Sequence, residues 1–157
     1  MSHVDASSDL ATLGFLVGRF TGEGSLGQGA TKVSKQVVGR WEVGGHFLSL
    51  AMTASYLVNQ TLADVHHALA VVGVMTRPDG SIEARVFTDG GAIYEHRLVV
   101  EPGRVSFRDR VPHEIRASEA RKILVPTDYG YDETLEIDRD GRGFERYSLV
   151  RLRRQAD

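Results

Sequence analysis

Histidines, tyrosines and a few carboxylates carry what chemistry this chain offers. His96 lies between Tyr94 and Leu98 on the apolar parity of a strand-like run. An inward histidine there hydrogen-bonds a guest or titrates near neutrality; the competing reading is a histidine bonded to a neighbouring tyrosine, as most buried polar groups are paired internally. Tyr56, Tyr129, Tyr131 and Tyr147 add hydroxyls on other strands, aromatic bodies with polar tips that suit a pocket or an ordinary core. Asp64, His66 and His67 form the densest metal-like group. On a strand only Asp64 and His66 share a face, short of the three or four converging ligands a metal takes, so no metal is expected. No Ser-His-Asp spacing, nucleophile elbow or phosphate loop occurs, and no catalytic residue is assigned. Gly22-x-Gly24 and Gly27-x-Gly29 precede no helix and are not a dinucleotide fingerprint.

The elements that must position these groups are strands. Gly18, Gly22 and Gly24 punctuate an opening run that also holds Phe20. Glycine weakens a strand interior unless the backbone bends or passes close to something. The run reads as the first strand of a closed barrel, kinked at its base, with Phe20 as the floor plug. Residues 1–9 read as a loose arm and 10–17 as a short helix capped by Ser8 or Asp9, ahead of a single barrel domain over 10–157. Strands follow at 31–43, with Val33, Val37 and Trp41 on one face, and at 46–58, with Leu48, Leu50, Met52, Ala54 and Tyr56 on one face. Asn59 to Asp64 reads as a loop. Residues 65–76 form a nearly continuous apolar strand, covered on both sides, which suggests a homodimer. Further strands are predicted at 82–88, 94–100 and 105–111, the last closed by Pro112. Another is read at 114–125, where Ser118 to Lys122 could also start a helix but Ile115, Ala117, Ile123 and Val125 share one parity. The last two, 129–138 and 143–153, flank Asp140-Gly141. Asp132, Glu133 and Glu136 read as surface charge, and Arg85, Arg97, Arg108, Arg116, Arg146 and Arg151 as a solvated outer face. The sum is an all-β, up-and-down antiparallel barrel of about ten strands, wide enough for an interior cavity.

Gly18-x-Phe20-x-Gly22-x-Gly24 resembles the Gly-x-Trp-x-Gly-x-Gly opening of nitrobindins and the Gly-x-Trp opening of lipocalin and fatty-acid-binding barrels, the calycin group. The closing run Phe144 to Arg153 resembles the last strand of bacterial nitrobindin-like and lipocalin-like proteins. The resemblance implies a ligand-binding barrel, with Arg151 or Arg153 stacked on Phe20. Haem is the cofactor it implies for nitrobindins, held by a histidine on the closing strand; Tyr147 falls near that position here, and no histidine follows His113. Haem is therefore the secondary reading, with no cofactor as the primary one.

Composition narrows the classes. At 157 residues with no cysteine, disulfides and thiolate chemistry are excluded. Lys+Arg of 19 against Asp+Glu of 21 argues against a nucleic-acid binder. No run approaches a membrane-spanning helix, and the N-terminus lacks a signal-peptide core, so a cytoplasmic protein is expected. The leading expectation is a binder of a small hydrophobic or amphipathic molecule, held by Trp41, Met52, Tyr56, Tyr94, His96, Tyr131 and Tyr147. The alternative is a small barrel enzyme using His96 and tyrosine hydroxyls as acid and base.

Overall fold

The computed structural model describes residues 6–27, 29, 31–76, 80–109 and 118–157. A helix α1 (Ala6–Ala11) runs into a 3-10 turn at Thr12–Leu16. Ten strands follow: β1 (Gly18–Leu26), β2 (Thr31–Glu42), β3 (Phe47–Val58), β4 (Thr61–Val74), β5 (Ile82–Thr88), β6 (Ile93–Glu101), β7 (Arg104–Asp109), β8 (Ser118–Pro126), β9 (Gly130–Arg139) and β10 (Phe144–Arg154). Each pairs antiparallel with its sequence neighbours, and β1 pairs with β10, so the sheet closes on itself. Closure satisfies both edges of every strand. The expected all-β barrel with one short N-terminal helix is the observed fold.

Period-two patterning decides which side of each strand is inside. On β2 the odd residues Val33, Lys35 and Val37 are buried; on β3 the even residues Leu48 and Leu50 are, and on β4 the even residues Ala70 and Val72. The other face of β4 is covered within the chain at Gly73, under the Phe47 ring, and leaves Leu69 open. Leu69 stands in an outer row of direct cross-strand neighbours, Val38, Ala51, Leu69, Phe87 and Ile93.

Several local readings need correction. The helix starts at Ala6, so residues 6–9 are helical instead of a loose arm, and residues 12–16 tighten into a 3-10 turn. Ser8 and Asp9 lie inside α1 and cap nothing at position 10. Tightening lets Leu10, Leu13 and Leu16 all turn into the barrel floor, where each is buried. The loop read at 59–64 is a two-residue turn: Asn59 and Gln60 both have positive φ, the geometry that matches the twist of tight hairpins, so β4 begins at Thr61. The inward parity of β8 is even, not odd: Leu124 is buried and Val125 is exposed. Residues 114–117 and Pro112 lie outside the described residues.

The floor is an aromatic and aliphatic plug. Phe20, buried, meets Tyr131 edge-on at 4.9 Å between ring centres, and Phe15 meets the same Tyr131 at 6.0 Å. Burying a ring such as Phe20 contributes about 1.5–3 kcal/mol. The arginine on Phe20 is neither Arg151 nor Arg153. It is Arg154, whose guanidinium carbon lies 4.7 Å from the ring centre. Register explains the difference. Leu152 and Val150 face inward on β10, so Arg151 and Arg153 point outward, and Phe20 pairs with Arg154. Arg153 stacks on Tyr129 instead. Arg154 also donates to the carbonyls of Val17 at 2.6 Å and Phe15 at 3.4 Å. It thereby ties the last strand to the segment that closes the floor. Gly18, at φ 132°, is where it lies: a Cβ there would overlap Arg154 Nη1. Arg154→Ala is expected to cost about 1–2 kcal/mol from the lost charged hydrogen bonds and ring contact. Arg154→Lys should recover only part, because a lysine cannot bridge two carbonyls and a ring at once. Denaturant unfolding of the two variants checks this; equal stability of Arg154→Ala and wild type would refute the latch.

Candidate functional site

Above the floor the interior is not filled. A cavity of about 150 Å³ is walled by Val37, Leu50, Met52, Ala70, Val86, Phe107, Leu124 and Leu135. Small residues open it: Ala70 on β4 and Ala120 on β8 stand where larger side chains would meet across the lumen. Polar groups enter the wall from His96, Arg121, Lys122, Tyr131 and Glu133, and Arg121 is itself paired with Glu136 at 3.1 Å. Mostly apolar walls with a few fixed polar groups are the usual form of a small-molecule site.

The charged residues form one cluster. Lys35 Nζ donates to Glu133 Oε1 at 2.5 Å, and Lys122 Nζ lies 3.5 Å from the same oxygen. Lys35 sits on β2 and Glu133 on β9, so the lysine reaches over β1 and β10 to find it. Gly22 and Gly24 carry no side chain on the intervening inner face of β1. Lys35 and Glu133 are both buried, whereas the Lys122 side chain is 35% exposed. Burial lowers the Lys35 ammonium to about 8, against the upward pull of Glu133. Burial pushes the Glu133 carboxyl up, but Lys122 and Lys35 outweigh it and hold it at about 2. Both partners of the Lys35–Glu133 pair are thus charged at neutral pH. An ion pair inside a barrel gives back in Coulomb energy roughly what desolvation takes, so it is weak evidence for stability. A barrel that keeps such a pair beside an open cavity has polar chemistry at its wall.

Of the expected ligand residues, the structure brings Met52, His96 and Tyr131 to the cavity. The His96 ring meets Phe107 edge-on at 6.4 Å. Tyr131 is floor and wall at once, and burial raises its hydroxyl. Tyr56 stands outside the cavity wall, edge-on to His66 at 5.4 Å. Its hydroxyl is raised by burial, pulled down by Lys122 and pushed up by Glu133. Tyr147 occupies the irregularity of β10 between Arg146 and Ser148. Tyr94 is 48% exposed at the start of its strand. Trp41 belongs to a separate cleft under the N-terminal segment, with Leu10, Ala11, Gly14, His46 and Phe47. His66 Nε2 pairs with Asp64 Oδ2 at 2.9 Å, and His67, pointing the other way, contacts Thr53 Oγ1 at 3.2 Å.

Sequence reasoning missed the charged cluster. Glu133 is buried, and its reading as surface charge is corrected. The signal was present: Lys35 shares parity with Val33 and Val37, and Glu133 with Tyr131 and Leu135. A charged residue on the apolar parity is a candidate for the interior.

No protein-family model matches the chain, and no curated protein does. Among solved structures, Rv2717c from M. tuberculosis is similar over 94% of this chain and 98% of its own, with a TM-score of 0.58 at 16% identity. A de novo designed fluorescence-activating β-barrel aligns over 97% of this chain and 99% of its own, at a TM-score of 0.41 and 14% identity. The first likeness is one of fold.

Proposed function

We propose that this protein binds a small molecule with an apolar body inside the barrel. The carrying observation is the cavity of about 150 Å³ between Leu50, Met52, Ala70, Val86 and Phe107. A cavity of about 150 Å³ in a protein core takes one benzene-sized guest. That size favours a single ring or short alkyl chain over haem, whose macrocycle holds four rings.

Toluene is the simplest probe. Titration followed by amide and methyl NMR is expected to give saturable shifts confined to the cavity wall. Ala70→Leu, which adds three carbons to that wall, should weaken toluene at least about tenfold, equivalent to 1.4 kcal/mol. The absence of saturable shifts in the wild type would overturn the reading.

A further inference from the structure

Building on the cavity reading, we propose that the natural guest is an anion: a small carboxylic acid whose apolar body fills the cavity and whose carboxylate pairs with Lys122 Nζ. Three observations converge on it.

The first is charge. Among the described residues, the cluster beside the cavity holds two ammonium groups, Lys35 and Lys122, against one carboxylate, Glu133, while Arg121 at the wall is balanced by Glu136. The cluster therefore keeps one positive charge beyond balance. Lys122 is partly exposed, so water screens some of this charge, but the apolar walls beside it leave the attraction for an anion stronger than it would be in bulk water. One excess charge matches a monoanion; a phosphate monoester brings about two.

The second is division of labour within the cluster. Glu133 is engaged by Lys35 at 2.5 Å, and that lysine is buried behind it, outside the cavity wall. Lys122 does line the cavity. At 3.5 Å from Glu133 Oε1 it is beyond good hydrogen-bond distance, and an ammonium has three N–H donors. Lys122 is thus the cation with capacity to spare on the guest's side.

The third is placement. In the β7–β8 register Lys122 lies directly opposite Phe107, and in the β8–β9 register opposite Leu135, both apolar wall residues. An ammonium set among apolar walls recognises a molecule with one charged end. It would repel an amine of the same shape.

Hexanoate, hexan-1-ol and hexylamine share a chain and differ at the head. NMR titration of the full chain at neutral pH and low salt is expected to rank the acid about tenfold tighter than the alcohol, the effect of one charge-assisted hydrogen bond. The amine should bind weakest. Lys122→Met and Lys122→Gln should each bring the acid-to-alcohol ratio close to one, whereas Lys122→Arg keeps it well above one. Thermal melts verify that each variant is folded. Equal affinity for acid and alcohol overturns the anionic guest, and an acid preference that survives both Lys122→Met and Lys122→Gln overturns its pairing with Lys122. Toluene separates the two readings. Toluene binding without acid preference sinks only the carboxylate, and failure of toluene and all three six-carbon probes sinks both.

Discussion

Glu133→Ala is expected to destabilise the barrel by about 3–5 kcal/mol, the usual result of stripping one partner from a buried ion pair. The reason is what stays behind. Lys35 is 6% exposed, and Glu133 is the hydrogen-bond acceptor its ammonium has at 2.5 Å. Without that carboxylate the remaining influences on Lys35, burial first and then Lys122, all lower its pKa. The pH dependence then has a definite sign. In the variant, folded Lys35 sheds its proton at a lower pH than unfolded Lys35 does. Between those two values the unfolded state binds more protons, so stability must rise with pH. Wild-type Lys35 is itself lowered to about 8, so Glu133→Ala should regain stability relative to wild type only as pH rises to about 8, above which both proteins gain alike. At the acid end the difference runs the other way. The wild-type Glu133 carboxyl is depressed from 4.5 to about 2, so its contribution is present above 4.5 and is lost as pH falls toward 2. The gap between the two proteins should narrow over that range. Urea unfolding from acid to alkaline pH measures both limbs. A double variant, Lys35→Met with Glu133→Leu, removes both charges and should lie far closer to wild type than Glu133→Ala does, since apolar replacement of a buried pair is often neutral. A single variant as stable as wild type at neutral pH would mean that the carboxylate does not hold Lys35.

How far the residues announce this arrangement depends on the kind of signal. Alternation on β2, β5 and β6 is clean enough to give both strands and inner face, whereas on β3 and β4 both faces are fairly apolar and the inner one cannot be read from the pattern. Asp140-Gly141, with both residues at positive φ, is legible as a hairpin for the same local reason. β8 defeats that logic. Ile123 and Leu124 are both buried, so burial does not alternate there, and reading Ile115, Ile123 and Val125 as inward displaced the face by one residue. That displacement hid Lys122, which lies on the even, inner face. Lys35 and Glu133 were hidden differently. Glu133 sits in a charged stretch that reads as surface and Lys35 is a lone cation among apolar positions, although the neighbours of both two positions away are apolar. Which arginine meets Phe20 turns on register between strands far apart in sequence, and no local pattern carries it. The cavity is harder still. Its volume is a difference between the span of ten strands and the side chains that enter the lumen, and a few wall residues such as Ala70 and Ala120 decide it.

Gly24→Ala is the second large effect, and it tests the closure of the barrel itself. β1 meets β10 through a register that pairs Gly24 with Val150 and Gly22 with Leu152. At both glycines the approach is so close that a Cβ would fall within the hard-sphere radius of a β10 carbonyl oxygen, that of Leu149 at Gly24 and that of Arg151 at Gly22. At Gly24 the same atom would also stand 3.1 Å from the Val150 Cα. These are backbone atoms of a hydrogen-bonded strand, so no rotamer change makes room. Relief requires moving β1 away from β10, which breaks the ladder that joins the first strand to the last. We expect Gly24→Ala to cost about 3 kcal/mol or more, the upper end for overpacking a well-fitted site. Gly14→Ala is the matched control, because nothing lies within 4 Å of a Cβ there and its φ is not positive. It should be neutral, or stabilise by about 0.4–1 kcal/mol through the unfolded chain. Hydrogen exchange locates the damage: Gly24→Ala should lose protection first along β1 and β10, while β3 and β4 retain theirs. Equal melting temperatures for the two alanine variants would show that the seam between the first and last strands yields without cost, and that glycine at position 24 answers to something other than backbone proximity.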